Sequence, residues 1–315
     1  MTSTPPADAR AGRSSPRTPR LAWLLVAAVV ALAVVVLAAI GLRTLPAVQD
    51  FLERFPGASA LPSFAPVGFP GWLAWQHGLN AFFMLFVIRT GLLLRVPGRP
   101  TTFWTRRNTG PFATVGAPVR ITLTTWFHIA VDTLWALNGV LFYVLLFATA
   151  QWTRIVPTRW DVIPNAVSAA LQYASLDWPS YDGWANYNAL QLLSYFLVVF
   201  VAAPVALVTG IRMSPGLATR LRPLDRVFPI RATRTVHFAT MVFFVLFIIV
   251  HVTLVLATGA VRNLDHMYAA RDDGSWLGFV IFAASVVVMV IGWFVLRPPV
   301  VARLAALTGE VRTRR

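Results

Sequence analysis

Residues 234–258, RTVHFATMVFFVLFIIVHVTLVLAT, decide the fold. The run exceeds the roughly 20 apolar residues that a helix needs to cross a bilayer, yet it carries two imidazoles, His237 and His251. An ionisable side chain within a span is costly and marks a functional site by default. At about 1.5 Å and 100° per residue, the fourteen positions between them put the rings about 21 Å apart along the axis and about 40° apart around it. They face the same way at two depths, as ligands for two stacked cofactors would.

The whole chain belongs in a membrane. It has 315 residues, 57% hydrophobic and 12% charged, with a mean hydropathy of +0.67, outside the range of soluble globular proteins. Apolar runs at 21–42, 71–94, 121–149, 187–211, 235–258 and 276–296 predict six spans. The expected fold is an all-α polytopic membrane protein, with six transmembrane helices and a central four-helix bundle.

The net charge of +15 follows the topology of the spans and does not call for a nucleic-acid partner. All 27 basic residues are arginine, and most of them gather in alternate connections, the N-terminal tail, 95–120, 212–234 and the C-terminal tail, while the other connections hold only Arg43, Arg54, Arg154, Arg159, Arg262 and Arg271. By the positive-inside rule these segments, and both termini, are cytoplasmic. The complete absence of cysteine excludes disulfides, thiolate-held iron–sulfur clusters and covalent c-type haem.

Two further spans supply partners for the pair at 237 and 251. His77 lies about 9 Å from the outer end of the second span, level with His251, about 10 Å from the outer end of the fifth. His128 lies about 10 Å from the inner end of the third span, while His237 is about 3 Å from the inner end if its helix starts at Thr235. That match improves if the helix begins earlier, near Pro229. The histidines thus resolve into an outer pair, His77 with His251, and an inner pair, His128 with His237. Two neutral imidazoles on opposite faces of a porphyrin make a six-coordinate iron that changes oxidation state with little movement, and a four-helix interior suits the macrocycle.

On His77, His128 and the His237 and His251 pair fourteen apart on the penultimate span, the chain resembles the di-haem cytochrome b membrane subunits of respiratory enzymes, as in formate dehydrogenase gamma, thiosulfate reductase and nickel–iron hydrogenase. The resemblance covers the second to fifth spans. It implies two haems b, one held by His77 and His251 and the other by His128 and His237. It further implies electron transfer between an extrinsic redox subunit (a molybdenum enzyme, a hydrogenase or an iron–sulfur protein) and membrane quinone, in a bacterial cell membrane. An added first helix departs from the family pattern and reverses the side on which each single histidine lies.

Other polar residues carry open alternatives. Asp132, one turn from His128, would orient an imidazole, relay a proton to quinone, or pair with Arg89 or Arg120. Asn80 reads as helix-to-helix glue. His266 reads as a solvated or lipid-edge residue. A reading from another class, a non-redox transporter or assembly factor with a His, Asp132 and Arg89 ion path, lacks the internal repeats and broken helices such proteins show. A mono-haem variant would follow if the inner pair were not level.

The chain divides into a disordered basic tail at 1–20, a first helix and outer loop at 21–70, the di-haem core at 71–258, and an outer loop, sixth helix and cytoplasmic tail at 259–315. The apolar core of the first helix, about 20 residues, exceeds that of a signal peptide and predicts a retained span. The loop at 43–70 is expected along the interface, and that at 96–120 free of helix. The Trp-rich loop at 150–186 reads as interface belting or as a docking surface. Pro204 is expected to kink the fourth span, and the basic loops suit anionic lipid.

Overall fold

Once the backbone leaves water, each peptide group must find a partner within its own segment, and helices result. The computed structural model describes residues 18–109, 117–178, 183–218 and 225–314. The expected tail at 1–20 lies outside these except for its last three residues. In order come α1 (Thr18–Leu42), α2 (Pro46–Arg54), α3 (Gly71–Leu93), β1 (Thr102–Arg106), β2 (Arg120–Thr122), α4 (Leu123–Ala148) and α5 (Val162–Ala174). Next are α6 (Ala189–Phe196), α7 (Ala203–Met213), α8 (Pro215–Ala218), α9 (Ile230–Ala257), α10 (Ala260–Leu264), α11 (Leu277–Val295), α12 (Pro298–Ala306) and β3 (Gly309–Thr313).

Five helical segments are long and apolar enough to span a membrane: Ala22–Leu42, Leu123–Ala148, Ala189–Met213, Ile230–Ala257 and Leu277–Val295. Six were expected. The sixth, α3, forms over the expected residues and has 23 residues, enough for about 35 Å of helix. Gln76, His77, Asn80 and Arg89 make it less apolar than the other five. It packs along α4, while α7 packs along α9. Between the two histidine levels, Met84, Ala202 and Phe244 are buried against Ile88, Trp135 and Val198. α1 and α11 keep most of their apolar side chains exposed, with only Ala39 and Gly278 buried among the described residues, and so present the surface that lipid requires.

The fourth span is continuous but irregular. A π-helical turn, Leu197–Ala202, joins α6 to α7 immediately before Pro204. Proline cannot donate to the carbonyl one turn back, and a widened turn absorbs the loss. The Tyr143 hydroxyl donates to the Val199 carbonyl within that turn. The other end of the segment starts on a reciprocal cap, in which the Asn188 side chain accepts from the Gln191 amide and Gln191 accepts from that of Asn188.

The connections are more structured than expected. At the arginine-rich end the described residues of the loop at 96–120 are free of helix, but β1 and β2 pair with β3 from the C-terminal tail in a sheet of order β2-β1-β3, both pairings antiparallel. Trp104 faces Ile121 on one side and Val311 on the other, and its indole donates to the Ala305 carbonyl at 3.0 Å.

At the opposite end, 43–70 folds onto α5: the Gly57 amide donates to Asn165 Oδ1 at 2.9 Å, and Ser59 donates to Asp161. Arg154, 1% exposed, donates to the carbonyls of Gly68 at 2.6 Å and Gly183 at 2.7 Å. Trp184 and Trp152 are packed inside this cap against Phe69 and Phe64, so of the loop's tryptophans only Trp160, at 92%, is fully bare.

Candidate functional site

α9 begins at Ile230 behind an N-cap at Pro229. His237 is therefore about 10 Å from the start of its helix and His128 about 8 Å from the start of α4. The two are level, and the depth mismatch set by a start at Thr235 disappears. The structure brings both expected pairs together. The ring centroids of His77 and His251 are 6.3 Å apart, and those of His128 and His237 are 6.5 Å apart.

These separations test what the pairs could hold. Two imidazoles on one metal, with bonds of about 2 Å and about 1.1 Å from each nitrogen to its ring centre, have centroids roughly 6.3 Å apart. Both pairs fit. Among the described residues no group of three or more His, Asp or Glu could hold a bare metal ion, so the arrangement suits a metal whose other four ligands belong to a macrocycle.

The neighbours of the two pairs differ. Thr90 Oγ1 on α3 lies 2.7 Å from His128 Nδ1, and Thr209 Oγ1 on α7 lies 2.8 Å from His237 Nδ1. The next residue in each case is glycine. Carbons built onto Gly91 and Gly210 would lie 3.6 Å and 3.7 Å from Cε1 of His128 and His237, at ordinary van der Waals contact, so each glycine marks where its helix passes the imidazole. Sequence reasoning passed over both threonines, although the signal was there as a Thr-Gly dipeptide repeated near the inner ends of two spans. At the other level His77 Nδ1 is buried with no hydrogen-bond partner among the described residues. The His251 ring stacks on Phe247 at 5.4 Å and meets the edge of Tyr195 at 6.0 Å.

Asp132 Oδ2 lies 3.3 Å from His128 Nε2, which favours the imidazole among its expected partners. Arg89 instead sits over the Trp293 ring, 4.4 Å from its centroid, and Arg120 over Phe103 at 4.1 Å. Asn80 accepts from the Trp135 indole at 2.9 Å and joins α3 to α4.

His266 departs from expectation. It is 4% exposed, neither solvated nor at a lipid edge. It sits between Trp184 and Phe69, and Nε2 donates to Asp272 Oδ1 at 2.6 Å. This bond is the main cause holding the Asp272 carboxyl below its ordinary range.

The profile of the prokaryotic cytochrome b561 family matches residues 68–269. The chain belongs to that family. The match begins just before α3, ends at the π-helical turn Asp265–Ala269 and encloses all four paired histidines. As a prokaryotic cytochrome b561 the chain is a multi-pass membrane b-type cytochrome, for which haem b is the implied cofactor. α1, α2, α11, α12 and β3 lie outside the matched residues. No curated protein and no solved structure matches the chain.

Proposed function

We propose that the chain is a di-haem cytochrome b that carries electrons between an extrinsic redox subunit and membrane quinone. His77 and His251 would hold one haem, and His128 and His237 the other, within a core at 71–258. The observation that carries this reading is the pair of matched imidazole separations, 6.3 Å and 6.5 Å, in a chain of the cytochrome b561 family.

Haem b held there would supply one-electron transfer. The protein supplies the rest. α9 holds one imidazole of each pair about 21 Å apart along its axis, and Met84, Phe244 and Ala202 exclude water between the levels. At the arginine-rich end Arg95 is held over Phe238, the residue after His237, 3.7 Å from its centroid, and its charge would suit a haem propionate. Asp132, beside His128, is the candidate to pass a proton to or from quinone. The arginine pattern supports a cytoplasmic position for that end and for both termini in a bacterial cell membrane.

The test is ligand replacement followed by haem quantitation and redox titration. His251→Ala and His128→Ala each leave one haem per chain, and the haem that remains differs between the two variants. Loss of the same haem in both, or of none, contradicts the pairing.

A further inference from the structure

The two threonines beside the inner histidines do the same thing from unrelated helices. Thr90 donates its hydroxyl proton to the Phe86 carbonyl at 2.7 Å, and Thr209 donates to the Val205 carbonyl at 2.6 Å. A hydroxyl has one proton and two lone pairs. With the proton committed to the helix, the oxygen can only accept at its other contact, from Nδ1 of His128 or His237. Each imidazole then carries its proton on Nδ1 and presents a bare Nε2.

Asp132, 3.3 Å from His128 Nε2, would favour the opposite tautomer at one histidine. The Asp132 charge also acts on His237, without an ion-pair contact among the described residues. Common to both inner imidazoles are the threonine hydroxyl and a backbone carbonyl beside it, of Val87 for His128 and of Ala206 for His237. The outer pair lacks the hydroxyl: His77 Nδ1 has no hydrogen-bond partner among the described residues, and the ring neighbours of His251 are aromatic.

Resting on the proposed haem ligands, we infer that Thr90 and Thr209 are positioning residues that fix both inner imidazoles as Nδ1–H tautomers and lower the potential of the haem they hold below that of the His77 and His251 haem. A hydrogen bond accepted from Nδ1–H makes the ring a stronger donor to iron and favours the ferric state. The two sites are thereby graded within one four-helix core, with the lower potential at the arginine-rich end.

Thr→Val keeps the buried shape and removes the hydroxyl, whereas Thr→Ser keeps the hydroxyl. The experiment is a redox titration of the purified chain followed in the alpha band, with haem counted per chain. In Thr90→Val and Thr209→Val both haems remain, and one midpoint, that of the haem absent from His128→Ala, moves to more positive potential. It moves further in the double variant, the other midpoint stays, and the Ser variants match the parent. Loss of that one haem in the Val variants but not in the Ser variants equally supports a hydroxyl role. Two retained haems with unmoved midpoints, or Val and Ser variants that shift alike, overturn the inference and leave the ligands standing. Retention of both haems in His128→Ala overturns the ligand assignment beneath it.

Discussion

The Tyr268 ring meets the His77 imidazole edge-on, with centroids 5.5 Å apart at 86°. The second π-helical turn, Asp265–Ala269, therefore ties the extramembrane cap to one of the paired histidines. Tyr268 in turn meets Phe282 of α11 at 5.4 Å, and the cap reaches the same place through His266 and Trp184. Events in the loops are thus mechanically linked to the His77 level.

Arg154 is the centre of that cap. Its guanidinium donates to two loop carbonyls and lies 4.6 Å from the Phe69 centroid and 5.0 Å from that of Tyr187. Arg154→Leu strands the Gly183 carbonyl and leaves that of Gly68 to Gln151 Nε2 alone, and the expected cost is about 1–3 kcal/mol. Arg154→Lys recovers only part, because an ammonium lacks the planar fork. Thermal unfolding in detergent measures both. Equal midpoints for parent and Arg154→Leu would show that the cap does not depend on this side chain.

Gly278 is the point where α11 touches the cap. A Cβ there would collide with the carbonyl oxygen of Leu264 and the backbone of Asp265. Gly278→Ala is expected to cost about 2 kcal/mol or more through forced backbone movement. Gly41 in α1 has nothing near its virtual Cβ, so Gly41→Ala leaves stability unchanged or raises it by up to about 1 kcal/mol. The contrast between the two variants, in the same melting assay, is the readout.

The His266–Asp272 contact gives the cap an acid sensitivity. Asp272 is held below its ordinary carboxylate range, first by the His266 hydrogen bond and also by Arg262. A carboxyl depressed in the folded state adds stability above its unfolded pKa, about 3.9, and loses it as pH falls through the lower folded value. Asp272→Asn therefore lowers the melting midpoint at neutral pH, and its difference from the parent closes below about pH 4. A difference that stays constant through that window would show that the carboxylate charge plays no part.

Asp132 tests the link to quinone. Its carboxylate is 3.3 Å from His128 Nε2 and about a third exposed, at 32%. Asp132→Asn keeps both haems and lowers quinone turnover by roughly 100-fold, the scale of a lost proton-transfer group. Turnover at the parental rate would remove Asp132 from the proton path.

What could be read in advance was what the bilayer dictates locally. The apolar runs and the depth of each histidine follow from counting along single helices; counting alone starts α9 at Thr235, and only the depth match with His128 on another span pointed to the earlier start, at Ile230 behind Pro229. The pairing of β1 with β3 could not be counted, because its register joins Thr102 to Thr313 across the whole core. His266 was misjudged for a related reason: its burial depends on Trp184 and Phe69, which come from two other loops. Thr90 and Thr209 required the rotation of α3 against α4 and of α7 against α9, which apolar patterning alone does not fix. The π-helical turn before Pro204 lies between these cases. The proline marks the place, but only the fold shows how the backbone accommodates it.

The most direct measurement is the haem content of the purified chain, by pyridine haemochrome with a reduced-minus-oxidised spectrum. Four paired histidines at two depths predict two low-spin haems b per chain. One haem per chain would leave a histidine pair without its cofactor, and none, from cells with adequate haem, would contradict the electron-transfer account altogether.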